Sequence, residues 1–200
     1  MMKKLLMTGF EPFLKYPINP TMDVVSHLNG KEINGYKIYG KILTVDFSQS
    51  GQQLLEEINQ LEPDAVISLG LSGGRYKITP ERIAANCNDG PADNTGKKPD
   101  GEAIFSDGED GLFSTLPIKE MVNKLTEEGL PADISNTAGT YLCNNVMYHG
   151  LYDAKKKGTF IPTGFIHIPA SHELAIKHGK VPSWSQTDLN RAIELCVKCL

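Results

Sequence analysis

No stretch of this chain approaches 18 consecutive apolar residues, so the sequence offers no candidate membrane span. An excess of basic charge is missing too. Twenty Lys and Arg against 24 Asp and Glu leave a net charge of −4, the opposite of the basic stripe expected of a nucleic-acid binder. Cysteine is scarce: Cys87, Cys143, Cys196 and Cys199 are the only four in 200 residues, which excludes a disulfide scaffold and leaves thiols in a reducing compartment. No two histidines stand in His-x-x-x-His or His-Glu-x-x-His spacing, so no metal site is expected. Gly70, Gly73 and Gly74 fit neither the dinucleotide nor the Walker pattern. The basic start, Met1 to Met7, has an apolar part too short for a signal-peptide core. Internal repeats and low-complexity tracts are absent. The remaining composition, 40% hydrophobic and 22% charged, is that of a globular chain able to bury one core. The expectation is a cytoplasmic protein of one domain, residues 1–200, without nucleic-acid or membrane partners.

Short continuous apolar runs alternate with helical periodicity along the whole chain. Lys4–Thr8, Tyr36–Val45, Ala65–Leu69, Ala132–Asn136 and Gly164–Ile168 read as strands. Helices are expected from Asn19-Pro20 to about Gly30, after Asp46 as a cap, over Leu116–Leu130, over Leu142–Lys157, and after Asp188 as a cap. Lys155, Lys156 and Lys157 close the fourth of these, where cations suit the helix dipole. The polar, Gly- and Pro-rich segment Asn86–Asp110 reads as a long loop or a hairpin excursion, which in a compact domain usually serves function. Strands that are apolar throughout are buried on both faces, as parallel strands are. The pattern predicts an α/β fold, a single-domain α/β/α sandwich around a mostly parallel twisted sheet. Ligands in such sheets sit off the carboxyl ends of strands, which points to residues 8–19, 71–81, 137–145 and 166–170.

Cys143 follows a small polar turn and opens a helix, where the helix dipole and unpaired N–H groups favour a thiolate and could hold an oxyanion. A core cysteine on the face Cys143-Met147-Leu151 is the equal alternative. Cys196-Val-Lys-Cys199 closes the last helix without a second ligand pair, and Cys87 ends a strand; both places read as structural. Among His27, His149, His167, His172 and His178, only His167 lies at a strand's carboxyl end on the same edge as Cys143, so it is the candidate base. Glu81, in Thr79-Pro80-Glu81-Arg82, could orient an imidazole or pair with Arg82 or Arg75. Phe10 and Phe13, placed just after the first strand, could wall a small apolar pocket or cap the sheet edge.

Four segments then form a pattern: Thr8-Gly-Phe-Glu-Pro-Phe13 with Asn19-Pro20; Gly73-Gly-Arg75 with Thr79-Pro-Glu-Arg82; Ser135-Asn-Thr-Ala-Gly-Thr-Tyr-Leu-Cys-Asn144; and Phe165-Ile-His-Ile-Pro169. In order and over nearly the whole chain, they resemble the pyrrolidone carboxyl peptidase (pyroglutamyl peptidase I) family. The resemblance implies a cytoplasmic cysteine exopeptidase of α/β/α fold that needs no cofactor, is commonly a homotetramer or dimer, and acts on peptides with N-terminal pyroglutamate. It implies Cys143 as nucleophile, His167 as its base and Glu81 as the orienting carboxylate, with Phe10 and Phe13 on either side of the lactam ring and Asn19 and Leu142 nearby. Leu14 and Lys15 stand where the family pattern has two glycines, Thr21 where serine is common, and Leu71 where many members carry glutamine. The alternative is a non-catalytic, small-ligand-binding member of the same fold.

Overall fold

The computed structural model describes residues 2–200. The chain runs β1 (Lys3–Phe10), α1 (Pro20–Leu28), β2 (Glu32–Ile33), β3 (Tyr36–Leu43), α2 (Ser50–Leu61) and β4 (Ala65–Leu71). Short strands follow: β5 (Thr79–Pro80), β6 (Ile83–Ala85), β7 (Asn88–Asp89), β8 (Asp100–Glu102) and β9 (Gly111–Phe113). The last part holds α3 (Ile118–Glu127), α4 (Leu142–Lys157), β10 (Thr163–Ile168), β11 (Ala170–Ser171), α5 (His172–His178), β12 (Ser183–Trp184) and α6 (Gln186–Val197).

Six strands form the central sheet in the order β2-β3-β1-β4-β10-β5. The inner four are parallel, and the edge strands β2 and β5 are antiparallel to their neighbours. All seven residues of β4 and all six of β10 are buried, as central parallel strands require. Their side chains alternate between two cores. Leu5, Met7, Ile67, Leu69, Ile166 and Ile168 face α1, α3 and α6 with Val24, Leu28, Met121, Leu125 and Ile193. Leu6, Phe10, Val66 and Phe165 face α2 and α4 with Leu54, Ile58, Val146, Met147 and Leu151. Each such buried side chain contributes about 1.5–3 kcal/mol, and the two apolar faces hold the layers in place.

Several expected boundaries move. Asn19 caps α1 as its sequence suggests, its side chain accepting from Thr21 N–H. Asp46 does not cap α2: it heads a turn whose carbonyl accepts from Gln49 and Ser50, and the helix starts at Ser50. Asp188 is likewise displaced, because Ser185 caps α6 and accepts from Asp188 N–H. Segment 132–136 is no strand; it meets residues 78 and 81 only through the isolated bridges Ile78 to Ala132 and Glu81 to Ser135. Segment 86–110 is a hairpin excursion closed by the β6–β9 pair and carrying the β7–β8 pair. The stretch holding His172 and His178, polar in sequence, forms α5.

Candidate active site

Strands β1, β4 and β10 are neighbours, and their carboxyl ends bring together loops far apart in the chain. Helix α4 points its N-terminus at this edge. Tyr141 is its N-cap and offers no side-chain acceptor, and the N–H groups of Leu142, Cys143 and Asn144 find no acceptor among the described residues. Cys143 therefore sits in an uncapped first turn, at the positive end of the dipole. Asn144, fully buried, fastens that turn to the base of the excursion. Its Oδ1 accepts from Ala85 N–H, and its Nδ2 donates to the carbonyls of Ala85 and Cys87.

His167 lies in β10 opposite Gly70 of β4. Its Nδ1–H donates to Glu81 Oε1 at 2.6 Å, which leaves Nε2 for the thiol side. Burial works against the imidazolium, but the charge and hydrogen bond of Cys143, with those of Glu81, outweigh it and raise the His167 pKa to about 9. Glu81 follows the edge strand β5, whose Thr79 pairs with His167, and Glu81 N–H donates to the Phe165 carbonyl. The Glu81 side chain is fully buried, and Arg75 Nη1 also donates to its Oε1, at 2.7 Å. The two readings of Glu81 left open by its sequence thus coexist: one carboxylate oxygen meets both His167 and Arg75. Arg82 turns away to Asn136 Oδ1.

Beside Cys143 lies a narrow cavity lined by Phe10, Phe13, Asn19, Val45, Leu71, Tyr141, Leu142 and Cys143. Phe10, Phe13, Asn19 and Leu142, the four residues implied for the substrate, all reach it. Phe10 is the last residue of β1 rather than part of the following loop, and it is buried against Phe165. Phe13 packs between Tyr16 and Tyr141. Asn19 is buried, with Oδ1 held by Thr21 and Nδ2 donating to the Glu11 carbonyl; it braces the loop as well as lining the cavity. Leu71 and Tyr141 fall within the strand-end segments 71–81 and 137–145 expected to hold the site, while Val45, two residues beyond β3, lies outside them. Tyr141 O–H donates to the Ala92 carbonyl, and burial with nearby negative charge pushes its pKa up to about 12. The excursion lines no part of the cavity but is tied to the segments around it. Asp93 accepts from the N–H groups of Phe47, Thr95 and Lys97, while Asn94 Nδ2 donates to Glu11 Oε1 and the Pro12 carbonyl.

The other candidates lie elsewhere. Cys196 is buried, and burial pushes its thiol far up; Cys199 is raised for the same reason. His27 is in the last turn of α1 beside Glu194. His149 is buried on α4, and His172 bonds Ser183. His178 stacks on Tyr16. Among the described residues no group of three or more His, Cys, Asp or Glu could hold a metal, and no helix is long and apolar enough to cross a membrane. A larger hollow of about 350 Å³, bounded by Ile58, Pro63, Lys157 and Thr163 at the amino end of the sheet, contains neither thiol nor histidine.

Comparison with known proteins covers the whole chain. The family model described as pyroglutamyl peptidase matches residues 3–200. The chain is 58% identical to the pyrrolidone-carboxylate peptidase of Oceanobacillus iheyensis over the full length of both, and 48% identical to that of Halalkalibacterium halodurans over 97% of both. The solved pyrrolidone carboxyl peptidase of Thermococcus litoralis superposes with a TM-score of 0.95 at 38% identity, covering 99% of this chain and 93% of that one. Bacillus amyloliquefaciens pyroglutamyl peptidase I gives 0.94 at 36% identity, covering 98% and 96%. Sequence along the whole length and fold lead to the same place: this chain belongs to the pyroglutamyl peptidase family.

Proposed function

We propose that Cys143, His167 and Glu81 carry the hydrolysis by which this chain removes an N-terminal pyroglutamyl residue from peptides. The observation that supports the assignment most is the alignment of Glu81 Oε1 with His167 Nδ1 at 2.6 Å, with Cys143 facing the same imidazole. His167 takes the proton from Cys143. The thiolate attacks the pyroglutamyl carbonyl carbon, and the free N–H groups opening α4 face the oxyanion. Collapse breaks the C–N bond, and the amine leaves with the proton from His167. Water, giving a proton to His167, then attacks the thioester, and pyroglutamate leaves. Glu81 stays ionised throughout and holds the imidazole by its Nδ1–H.

The cavity supports the substrate reading. Its walls are Phe10, Phe13, Val45, Leu71 and Leu142, with no carboxylate. The chemistry of such a lining suits a neutral lactam. The ammonium of an N-terminal glutamine or glutamate would be buried there without a partner, at a cost of several kcal/mol. All of this lies in one domain, residues 1–200. A homodimer or tetramer in the cytoplasm belongs to the same proposal, supported by the exposed apolar Phe113 and Phe160.

The test compares kcat/KM for pyroglutamyl and glutaminyl aminocoumarin. The pyroglutamyl amide should be preferred by more than about 100-fold, and a ratio near one sinks the substrate assignment. Cys143→Ala should abolish hydrolysis, while Cys87→Ser and Cys196→Ser retain it; activity in Cys143→Ala refutes the nucleophile.

A further inference from the structure

We propose that Arg75 is a positioning residue of this reaction, a permanent cation that keeps the buried Glu81 carboxylate ionised and aimed at His167. The inference rests on the Cys143–His167–Glu81 reading. Glu81 has no exposed side-chain surface, and its Oε2 has no partner among the described residues. All polar support of the carboxylate therefore falls on Oε1, shared by His167 Nδ1 at 2.6 Å and Arg75 Nη1 at 2.7 Å. The same Nη1 donates to Thr79 Oγ1, and Thr79 pairs with His167 across the β5–β10 edge. Arg75 is thus held to the strand neighbouring the imidazole it serves.

The reaction itself makes this cation necessary. While His167 is an imidazolium, Glu81 has a counter-ion. Once that proton has gone to the leaving amine, the imidazole is neutral, and Glu81 would be a buried carboxylate with no opposite charge. An uncompensated buried charge is strongly unfavourable, and the group relieves it by taking up a proton. A protonated Glu81 no longer stabilises the imidazolium that must re-form when water attacks. Arginine cannot be deprotonated in a protein, so Arg75 supplies the missing charge at every stage. The charged and titratable groups facing Glu81 are Arg75, His167 and, behind the imidazole, Cys143. Arg82 is turned to Asn136, and Lys77 is paired with Asp133.

The experiment measures kcat and KM against pH for Arg75→Met and Arg75→Lys on the pyroglutamyl aminocoumarin, per active site as counted by the alkylation endpoint at Cys143. Arg75→Met should lower kcat by about 10- to 100-fold, the usual loss when a group orienting an active residue is removed. KM should change little, and the acid limb of the profile should move to higher pH. Arg75→Lys, which restores a cation, should recover part of the loss. In a Glu81→Gln background, Arg75→Met should cost much less than in the parent, because no charge remains to be held. Should Arg75→Met fail to fold, Arg75→Gln carries the same measurement. An unchanged kcat and pH profile overturns the proposal, as does a fall in Tm alone, an Arg75→Lys no better than the neutral variants, or an equal cost in the Glu81→Gln background. Failure of the underlying reading shows separately, as a parent enzyme whose turnover survives Cys143→Ala.

Discussion

Gly70 stands opposite His167 in the β4–β10 ladder, and a methyl group there would lie 2.9 Å from Cys143 Sγ and 2.7 Å from the Phe165 ring. The missing side chain makes room for the thiol, a close-approach use of glycine with nothing to do with phosphate binding. Gly70→Ala should therefore displace Sγ and lower kcat/KM by about 100-fold, the effect of an ångström-scale misplacement. Gly74→Ala, which meets nothing within 4 Å, should leave kcat/KM unchanged; equal effects of the two would refute the steric account. His167 sets a second expectation. Its proton is held up to about pH 9, and without it the leaving amine departs unprotonated. The sign is thus a fall in kcat/KM as pH rises through about 9, with no loss between pH 7 and 8. A basic limb beginning below pH 7.5 would contradict the assignment of that limb to His167.

Helix α4 is the element on which most of this depends. Its first turn presents Cys143 and is fastened by Asn144. Its end is tied to the excursion and to itself by Lys155–Glu109, Lys156–Asp107 and Lys157–Asp153, exposed pairs of small individual worth. In the middle, His149 packs against Gly51 of α2, where any added Cβ would collide with the ring, and edge-on to Phe105. Its Nδ1–H donates to the Asn145 carbonyl, and burial lowers its pKa from the ordinary 6.5. In the unfolded chain this histidine takes up a proton first, so folding stability falls as pH drops through about 6.5 and levels off below the folded value. The expected result is a Tm that falls between pH 7 and pH 5, and a smaller fall in His149→Gln. An identical pH dependence in the two proteins would show that His149 does not carry the effect.

At the scale of the molecule, the site exists because β1, β4 and β10 lie side by side although residues 71 and 163 are separated by the whole excursion and two helices. Parallel pairing places their carboxyl ends on one edge of the sheet. The nucleophile comes from a helix start, the histidine from a strand, the carboxylate from beyond an edge strand, and the apolar walls from the ends of β1 and β4, the segments after β1 and β3, and the start of α4. Excursion 86–110 then braces the loops after β1 and β3 through Asp93 and Asn94. Its polarity, which in sequence suggests a long loop or a hairpin excursion, reflects these turn and bridging bonds.

Much of this was readable in one dimension because it is local. Apolar runs with no polar face mark strands buried on both sides, so the α/β class and the ends of α4 at Leu142 and Lys157 follow from periodicity and dipole alone. Cys143 in a first helical turn and His167 at a strand's carboxyl end are local facts too. Capping is local but degenerate: Asp46 and Asp188 are good cap residues by type, and the turn at 46–50 and the hydroxyl of Ser185 took their places. Segment 132–136 looked like a strand because apolar residues alternate there, yet no sheet edge receives it beyond two bridges. The partners of Glu81, the space left by Gly70 and the walls supplied by Val45, Leu71 and Tyr141 depend on which distant segments meet. Those meetings are set by burying two apolar faces at once, a condition on the whole chain that no single segment carries.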